Sequence, residues 1–258
     1  MAVDEALLDT RAGRVDPGPP TLRLYGWAPA AVSLGRGQSP LPDRSIEYLR
    51  RERIDLVRRP SGGRAVLHDD ERTYAIVGAL RSAVFPGGVL DTYEAIAGAL
   101  VEALRSLGVA ARSVAPQSPS PRTPAEQASC FALPNVHEIT VDGLKLVGSA
   151  QVRRRGAFLQ HGSILLRADA QRTRRALGTR DDHSTDLCRV GRERPDPDRL
   201  DQALTRAFEE RFGARLAPGD LTHEERELAT RLYSWKYLST AWTLDGHPGV
   251  RERHWGPL

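Results

Sequence analysis

Cys130 has the side chain best suited to nucleophilic chemistry in this chain of 258 residues. It follows a segment rich in proline and serine, which is typical of an exposed loop and leaves a thiol accessible. Only the thiolate attacks, so a catalytic cysteine needs a base or a cation beside it, and Lys145 is a candidate. The alternative is a small buried apolar residue, which free cysteine often is. Cys188, the second cysteine, has no supporting pattern, and we interpret it as incidental.

Lysine is rare in this chain, and Lys145 stands out for that reason. Lysine and arginine together number 37, and only Lys145 and Lys236 are lysine. Arginine is effectively always charged, whereas lysine can lose its proton when it is desolvated. A lysine on a predicted strand therefore fits proton transfer or a compact charge. The alternative is a solvated strand lysine, and composition does not separate the two.

Two segments that contain glycine could bring backbone N–H groups close to an anion or a carbonyl oxygen. One is RPSGGRAVLHD at residues 59–69, and the other is GSAQ at residues 148–151. Neither is a Walker loop or a dinucleotide-binding fingerprint, because GK[ST] and G-x-G-x-x-G are both absent. His68 and His161 are suited to proton transfer, or alternatively to hydrogen bonds with the backbone. They do not form a metal spacing, and we predict no metal site.

The composition favours one globular domain over residues 1–258 and excludes several other classes. Hydrophobic residues make up 40% and charged residues 27%, which is ordinary for a soluble domain. No apolar run is long enough for a transmembrane helix, and the first residues do not form a signal peptide. Two cysteines cannot build a disulfide framework, which favours the cytoplasm. The net charge of +4 favours an acidic partner, but no nucleic-acid-binding signature is present, so we expect neither nucleic acid nor a membrane as partner.

The pattern of strands predicts hairpins near Lys145. An Asp142-Gly143 pair between two apolar strands is a strong hairpin signal, and Gly156 separates the second of these strands from another apolar strand. Residues 114–125 and 178–197 are polar and predict two mobile loops. Further strands are expected at residues 21–27, 31–34, 54–57, 65–67 and 73–77.

Helices are expected between these strands. Their predicted positions are residues 2–10, 42–53, 91–107, 169–177, 198–212 and 222–233. Asp43 is expected to cap the second helix. Asp91 and Glu94 are expected to form a capping box at the start of the third helix, and Thr222 and Glu225 at the start of the last.

Several motifs, in the same order along the chain, resemble the superfamily of lipoate–protein ligases, biotin ligases and octanoyltransferases. They are RPSGGRAVLHD at residues 59–69, KLVGSAQ at 145–151 and QHGSILL at 160–166. Residues 1–8, 23–27 and 32–38 resemble the N-terminal part of that family. The resemblance implies an α/β fold of the α+β type, with one catalytic domain whose curved, largely antiparallel sheet is flanked by helices.

Within that superfamily the chain looks most like the cysteine-dependent octanoyltransferases. It places the pattern C-F-x-x-P, which begins at Cys130, ahead of the predicted strand that contains Glu138 and Ile139. ATP-dependent lipoate ligases share Lys145 and the glycine loop at residues 59–69, but they need no cysteine. They are the first alternative. An amidotransferase that moves octanoyl between lipoyl domains also uses a cysteine, but its loop usually lacks the pair His68-Asp69. A non-catalytic acyl-carrier-binding protein is the third alternative.

The resemblance also implies a site and partners. Cys130 would be the nucleophile, and Lys145 would position the acyl carbonyl and manage protons. The residues expected to bind substrate are Arg59, Ser61, Gly62, Gly63, Arg64, Ala65, His68, Gly148, Ser149, Ala150, Gln151, His161 and Gly162. The donor would be octanoyl-acyl carrier protein, and the acceptors would be apo lipoyl domains of the glycine cleavage H protein and of 2-oxoacid dehydrogenase E2 subunits. No cofactor is expected, and the acyl chain would lie between the sheet and the loop at 61–66.

Overall fold

The structure is a computed structural model, and it describes residues 1–85, 87–114, 138–179, 183–191 and 193–246. Cys130 and most of the predicted loop at 114–125 lie outside the described residues. The strands are β1 (Thr21–Tyr25), β2 (Ala31–Leu34), β3 (Asp55–Arg58), β4 (Val66–His68), β5 (Glu71–Ala79), β6 (Arg112–Ser113), β7 (Ile139–Val141), β8 (Leu144–Arg154) and β9 (Ala157–Leu165). The helices are α1 (Ala2–Arg11), α2 (Asp43–Arg51), α3 (Val89–Ser106), α4 (Ala170–Leu177), α5 (Leu187–Gly191), α6 (Pro197–Phe212), α7 (His223–Leu232) and α8 (Thr240–Asp245), with a π-helical turn (Tyr233–Tyr237) after α7.

Six strands form one antiparallel sheet in the order β1-β5-β9-β8-β7-β6. A smaller sheet has the order β3-β2-β4, in which β2 is parallel to β3 and antiparallel to β4. Successive side chains of β5 point to opposite faces of the larger sheet. Ile76 packs with Leu100 of α3 and Phe208 of α6, whereas Val77 packs with Leu8 of α1. The predicted mixed fold, with a large antiparallel sheet flanked by helices, is confirmed.

Both predicted hairpins are present, and both turn on residues with positive φ. Asp142 and Gly143 have φ of 50° and 80° between β7 and β8, and Arg155 and Gly156 have φ of 40° and 84° between β8 and β9. Two consecutive residues with positive φ match the right-handed twist of the flanking strands, and glycine adopts this conformation without strain. The Asp-Gly signal therefore located the strand that carries Lys145.

Two helix starts differ from the prediction. The third helix begins at Val89, and the Asp91 carboxylate accepts the backbone N–H of Gly88 at 2.6 Å, so Asp91 lies within the first turn and the predicted box with Glu94 is wrong. Asp43 is already helical and makes no capping hydrogen bond, so its predicted role as a cap is also wrong. At the start of α7 the predicted pairing of Thr222 with Glu225 is confirmed, with reciprocal hydrogen bonds of 2.8 and 3.2 Å.

The stretch at 178–197, predicted as one long loop, contains helix α5. Leu187 at the start of that helix is buried in the main core, and the Cys188 N–H donates to the carbonyl of Leu166 at 2.9 Å. Only Leu187 and Val190 are aliphatic in this helix of five residues, which is too short for its apolar residues to give a periodic signal. The loop prediction is wrong for these residues, and its mobility stays a prediction.

Arg58, the last residue of β3, ties the C-terminal part of the chain to the strand that leads into the glycine loop. Its side chain is only 1% exposed and donates to the carbonyls of Gly35 and Gln38, both at 2.6 Å, and of Leu244 at 2.7 Å. The indole N–H of Trp242 donates to the Arg58 carbonyl at 2.9 Å. Helix α8 therefore helps to set the position of the loop that follows β3.

No helix within the described ranges is both long and apolar enough to cross a bilayer.

Candidate active site

The loop after β3, residues 59–65, is folded around the side chain of Arg59. The buried guanidinium donates to the carbonyls of Gly62 at 2.8 Å, Arg64 at 2.7 Å and Ser33 at 3.0 Å. Burial lowers the pKa of Arg59 to about 10. Gly63 has φ of 93°, a conformation that L side chains rarely adopt. The predicted glycine loop therefore owes its shape to an internal arginine, whose donors point at loop carbonyls.

Ser61 is held by a buried histidine. The Ser61 hydroxyl lies 2.5 Å from Nε2 of His161 on β9, and Nδ1 of the same ring lies 3.4 Å from the carboxylate of Asp4 on α1. Burial would raise the pKa of Asp4, but the hydrogen bond with His161 and the cation Arg23 outweigh it and hold this pKa well below its usual range. Burial lowers the pKa of His161. Because the serine hydroxyl is fully buried, this chain of three residues anchors the glycine loop to the sheet.

His161 makes stability depend on pH. Its folded-state pKa is below the ordinary value of about 6.5, so the unfolded chain binds the proton more readily. The stability that the neutral ring contributes is fully present above about pH 6.5 and is lost as the pH falls. We expect the urea-measured free energy of unfolding to fall between about pH 7 and about pH 5, and to fall less steeply in His161→Gln. Equal slopes for the two proteins would contradict this.

A second buried histidine supports the loop from the smaller sheet. His68 Nε2 lies 2.8 Å from the Ser33 hydroxyl, and Nδ1 lies 2.8 Å from the Glu71 carboxylate. The ring of Trp27 stacks on His68 with centroids 4.3 Å apart. The hydroxyl of Ser163 also donates to Glu71. His68 is therefore buried and fully engaged, and the sequence predicted neither Glu71 nor Asp4 as part of these networks.

Lys145 is held by its backbone and by one carboxylate. Its N–H donates to the carbonyl of His183 at 2.9 Å, and its carbonyl accepts the N–H of Thr185 at 2.8 Å. The ammonium donates to Oε1 of Glu138, and the Lys145 side chain is 42% exposed. The Lys145 side chain is therefore held by a carboxylate and reached by water, and its role in proton transfer stays a prediction.

The GSAQ segment spreads over both faces of the sheet. Gly148 is paired with Ser163, and Ala150 with His161, on the face that α1 covers in part. Ser149 lies on the other face, where its hydroxyl is 2.7 Å from that of Tyr74. Gln151 and Gly162 share the face of Ser149. A strand alternates its side chains, so the predicted substrate-binding residues of this segment do not converge on one point.

A cavity of about 430 Å³ adjoins Lys145. Such a volume is within the range of small-molecule sites. Its apolar wall comes from β4, β8, β9, α4 and their flanks, and consists of Ala65, Val66, Leu67, Leu146, Leu165, Ala168 and Leu177. Its polar lining consists of Asp69, Asp70, Lys145, Ser163, Arg167, Asp169, Arg172, Thr173 and Ser184, and Gly148 completes it.

The predicted residues therefore fall into three groups. Ala65, Lys145 and Gly148 line the cavity. The second group builds and anchors the glycine loop, and consists of Arg59, Ser61, Gly62, Gly63, Arg64, His68 and His161. The third group lies on β8 and β9 outside the cavity lining, and consists of Ser149, Ala150, Gln151 and Gly162. Cys130 lies outside the described residues.

Comparison with known proteins identifies similar sequences over almost the whole chain. A model of the lipoyl protein ligase A/B catalytic domain family matches residues 1–209. Octanoyltransferase LipM of Kyrpidia tusciae is 42% identical over 257 residues, which cover 94% of this chain and 92% of that protein. Octanoyltransferase LipM of Bacillus subtilis is 32% identical over 257 residues, with the same coverage of 94% and 92%.

Solved structures show the same fold. Lipoate-protein ligase A bound with ATP has a TM-score of 0.78 and 23% identity, and the match covers 95% of this chain and 93% of that one. The bi-partite lipoate protein ligase of Thermoplasma acidophilum has a TM-score of 0.76 and 22% identity, with coverage of 96% and 91%. At this level of identity the likeness concerns the fold alone.

Proposed function

Since the chain belongs to the lipoyl protein ligase A/B catalytic domain family, we propose that it is an octanoyltransferase of lipoate biosynthesis that acts through a cysteine thioester. The donor is octanoyl-acyl carrier protein, and the acceptor is a lysine of an apo lipoyl domain. The observation that carries the proposal is the amine of Lys145 at the wall of an apolar cavity, in a chain whose relatives are named octanoyltransferases.

In the first step the thiolate of Cys130 attacks the carbonyl carbon of the donor thioester. A new C–S bond forms, the C–S bond to the carrier breaks, and the carrier leaves as a thiolate. One thioester replaces another, so the step needs no ATP. The octanoyl chain occupies the cavity, where Leu67, Leu146 and Leu165 offer apolar contact. This wall removes the chain from water, which is the main favourable term for an alkyl group.

In the second step the acceptor lysine attacks the acyl-cysteine. A free lysine has a pKa of roughly 10.4, so the acceptor amine must lose a proton before it attacks. The C–N bond forms, the C–S bond breaks, and the thiol of Cys130 is regenerated, with the released proton passing to solvent. Conversion of a thioester to an amide is downhill.

Lys145 stabilises the oxyanion that develops in both steps. Its pairing with Glu138 fixes the position of the cation, and a fixed cation next to the acyl carbonyl lowers the energy of the tetrahedral intermediate. The backbone N–H groups of the glycine loop, which Arg59 holds in place, are further donors near the same cavity.

The charged residues around the cavity are of both signs, with Asp69, Asp70 and Asp169 beside the cationic side chains. Arg167 and Arg172 both line it. Arg172 pairs with Asp69 at 2.9 Å, whereas Arg167 makes no ion pair with a carboxylate in the part of the chain that the structure describes. An unneutralised arginine at the rim attracts an acidic carrier or lipoyl domain by long-range electrostatics.

An ATP-dependent lipoate ligase is the second candidate, because the solved structures that share this fold include a ligase bound with ATP. The test is the intact mass of the protein after incubation with octanoyl-acyl carrier protein in the absence of ATP. We expect one octanoyl adduct on the wild type, which apo lipoyl domain discharges, and no adduct on Cys130→Ser.

The matched control is Cys188→Ser, because Cys188 is the other thiol of the chain. It should acquire the adduct as the wild type does. An adduct that persists in Cys130→Ser and disappears in Cys188→Ser would refute Cys130 as the nucleophile. Modification of lipoyl domain only in the presence of ATP and free lipoate would refute the transferase and favour the ligase.

A further inference from the structure

The pairing of β7 with β8 contains an irregularity next to Lys145. Thr140 is opposite Lys145, but Ile139 is opposite Val147, so β8 has one extra residue at Leu146. This is a β-bulge, which bends the strand locally and turns side chains into new directions. Beyond the bulge the register of β7 is displaced by one residue along β8.

Gly148 leaves room for the Lys145 side chain. A Cβ atom added at Gly148 would lie 2.9 Å from Cε of Lys145 and 3.2 Å from its Nζ. Both distances are shorter than ordinary contacts, so the ammonium lies over the backbone of Gly148, and any larger residue there would push it away. Lys145 and Gly148 both line the cavity.

Glu138 holds the ammonium in that place. It immediately precedes β7, and its carbonyl accepts the N–H of Val114 at 2.9 Å, which fixes its backbone. Its carboxylate accepts from Nζ of Lys145. The Glu138 side chain is 20% exposed, so the carboxylate is less hydrated than the amine that it binds.

We propose that Glu138 is a positioning residue that holds Lys145 as a cation over Gly148, at the wall of the cavity, and that it acts on acyl transfer through Lys145 alone. The inference rests on the proposed function, because that function places Lys145 beside the acyl carbonyl. A pair as exposed as this one contributes little to stability. The bond between Glu138 and Lys145 therefore matters because it fixes the position of the charge, since a displaced catalytic group loses much of its effect.

The test compares wild type, Glu138→Gln, Glu138→Asp and Lys145→Met by steady-state kinetics and by thermal unfolding. Glu138→Gln should lower kcat about 10- to 100-fold while KM for the donor changes less than about twofold, and the unfolding midpoint should not move. Glu138→Asp should restore part of kcat.

The double variant of Glu138→Gln with Lys145→Met should be no slower than Lys145→Met alone, because a residue that acts only through Lys145 has nothing left to position. Additive losses, or a wild-type kcat for Glu138→Gln, would overturn the inference. Glu102→Gln is the matched control. Glu102 lies on α3 outside the cavity lining, and its substitution breaks a surface pair with Arg211 of α6, so this variant should behave as wild type.

Failure of the proposed function gives a different result. If the wild type modifies lipoyl domain only with ATP and free lipoate, the transferase is refuted. The same variants are then compared in that reaction, where a wild-type rate for Glu138→Gln would overturn the role of Glu138 as well.

Discussion

Replacing Lys145 with methionine is expected to lower the rate constant of octanoyl transfer by about 10²- to 10³-fold, the usual cost of removing one preorganised donor to an oxyanion. Methionine is close to lysine in length and has no charge, so the change tests the cation itself. Because the lost ion pair is half-exposed, the free energy of unfolding should change by only about 0–1 kcal/mol. Single-turnover transfer of octanoyl to an apo lipoyl domain measures the rate.

Replacing Lys236, the other lysine, is expected to lower the stability of the protein, whereas replacing Lys145 lowers the transfer rate. It is buried, and its ammonium donates to both carboxylate oxygens of Glu5 at 2.7 and 2.8 Å. Removing one partner of a buried pair leaves an uncompensated charge, so Lys236→Met should destabilise the protein by about 3–5 kcal/mol. Arg154 also contacts Glu5, which favours the lower end of that range.

A Lys145→Met variant with a transfer rate within about threefold of wild type would contradict the role of Lys145.

Replacing Gly35 with alanine is expected to disrupt the glycine loop. A methyl group at position 35 would lie 1.9 Å from the carbonyl oxygen of Gly63 and 2.9 Å from its carbonyl carbon. These are backbone atoms, which cannot rotate away as a side chain can, so the loop must move as a unit. Overpacking of this kind costs about 3 kcal/mol or more, and the displaced loop should transfer octanoyl at less than about one per cent of the wild-type rate.

Gly37→Ala is the control for this change. It lies two residues further along the same turn, and a Cβ atom there would have no neighbour within 4 Å. Urea unfolding and the transfer assay should both give wild-type values for it. A Gly35→Ala protein of wild-type stability and activity would show that the glycine loop tolerates displacement, and would contradict its assignment to the site.

The local elements of this protein follow from the sequence because neighbouring residues decide them. The Asp142-Gly143 pair predicts the hairpin that presents Lys145, since both residues readily adopt the positive φ that such a turn requires, whatever the rest of the chain does. The motifs at 59–69 and 145–151 also indicate the family, which the comparisons confirm. The predicted start of α3 was wrong because a carboxylate in the first turn can accept the N–H of the capping residue from within the helix. The residue type does not show whether such a carboxylate lies at the cap or inside the first turn.

The organisation of the site depends on contacts between distant parts of the chain. The sequence marks Ser61 and His161 separately, but only the fold brings them to 2.5 Å across 100 residues, with Asp4 behind them. Likewise, no local pattern shows that Arg59 folds its own loop.

Glu138 is the clearest case of a residue that sequence reasoning missed. Its bond to Lys145 depends on a bulge, and a shift of one residue in a strand pair reverses which side chains face each other. The sequence alone determined most of the strands, the hairpins and the family, because these depend on adjacent residues and motif order, but it did not indicate the two-residue strand β6. The tertiary structure decided which side chains meet at the cavity, because register, burial and long-range hydrogen bonds are set only when the sheets and helices pack.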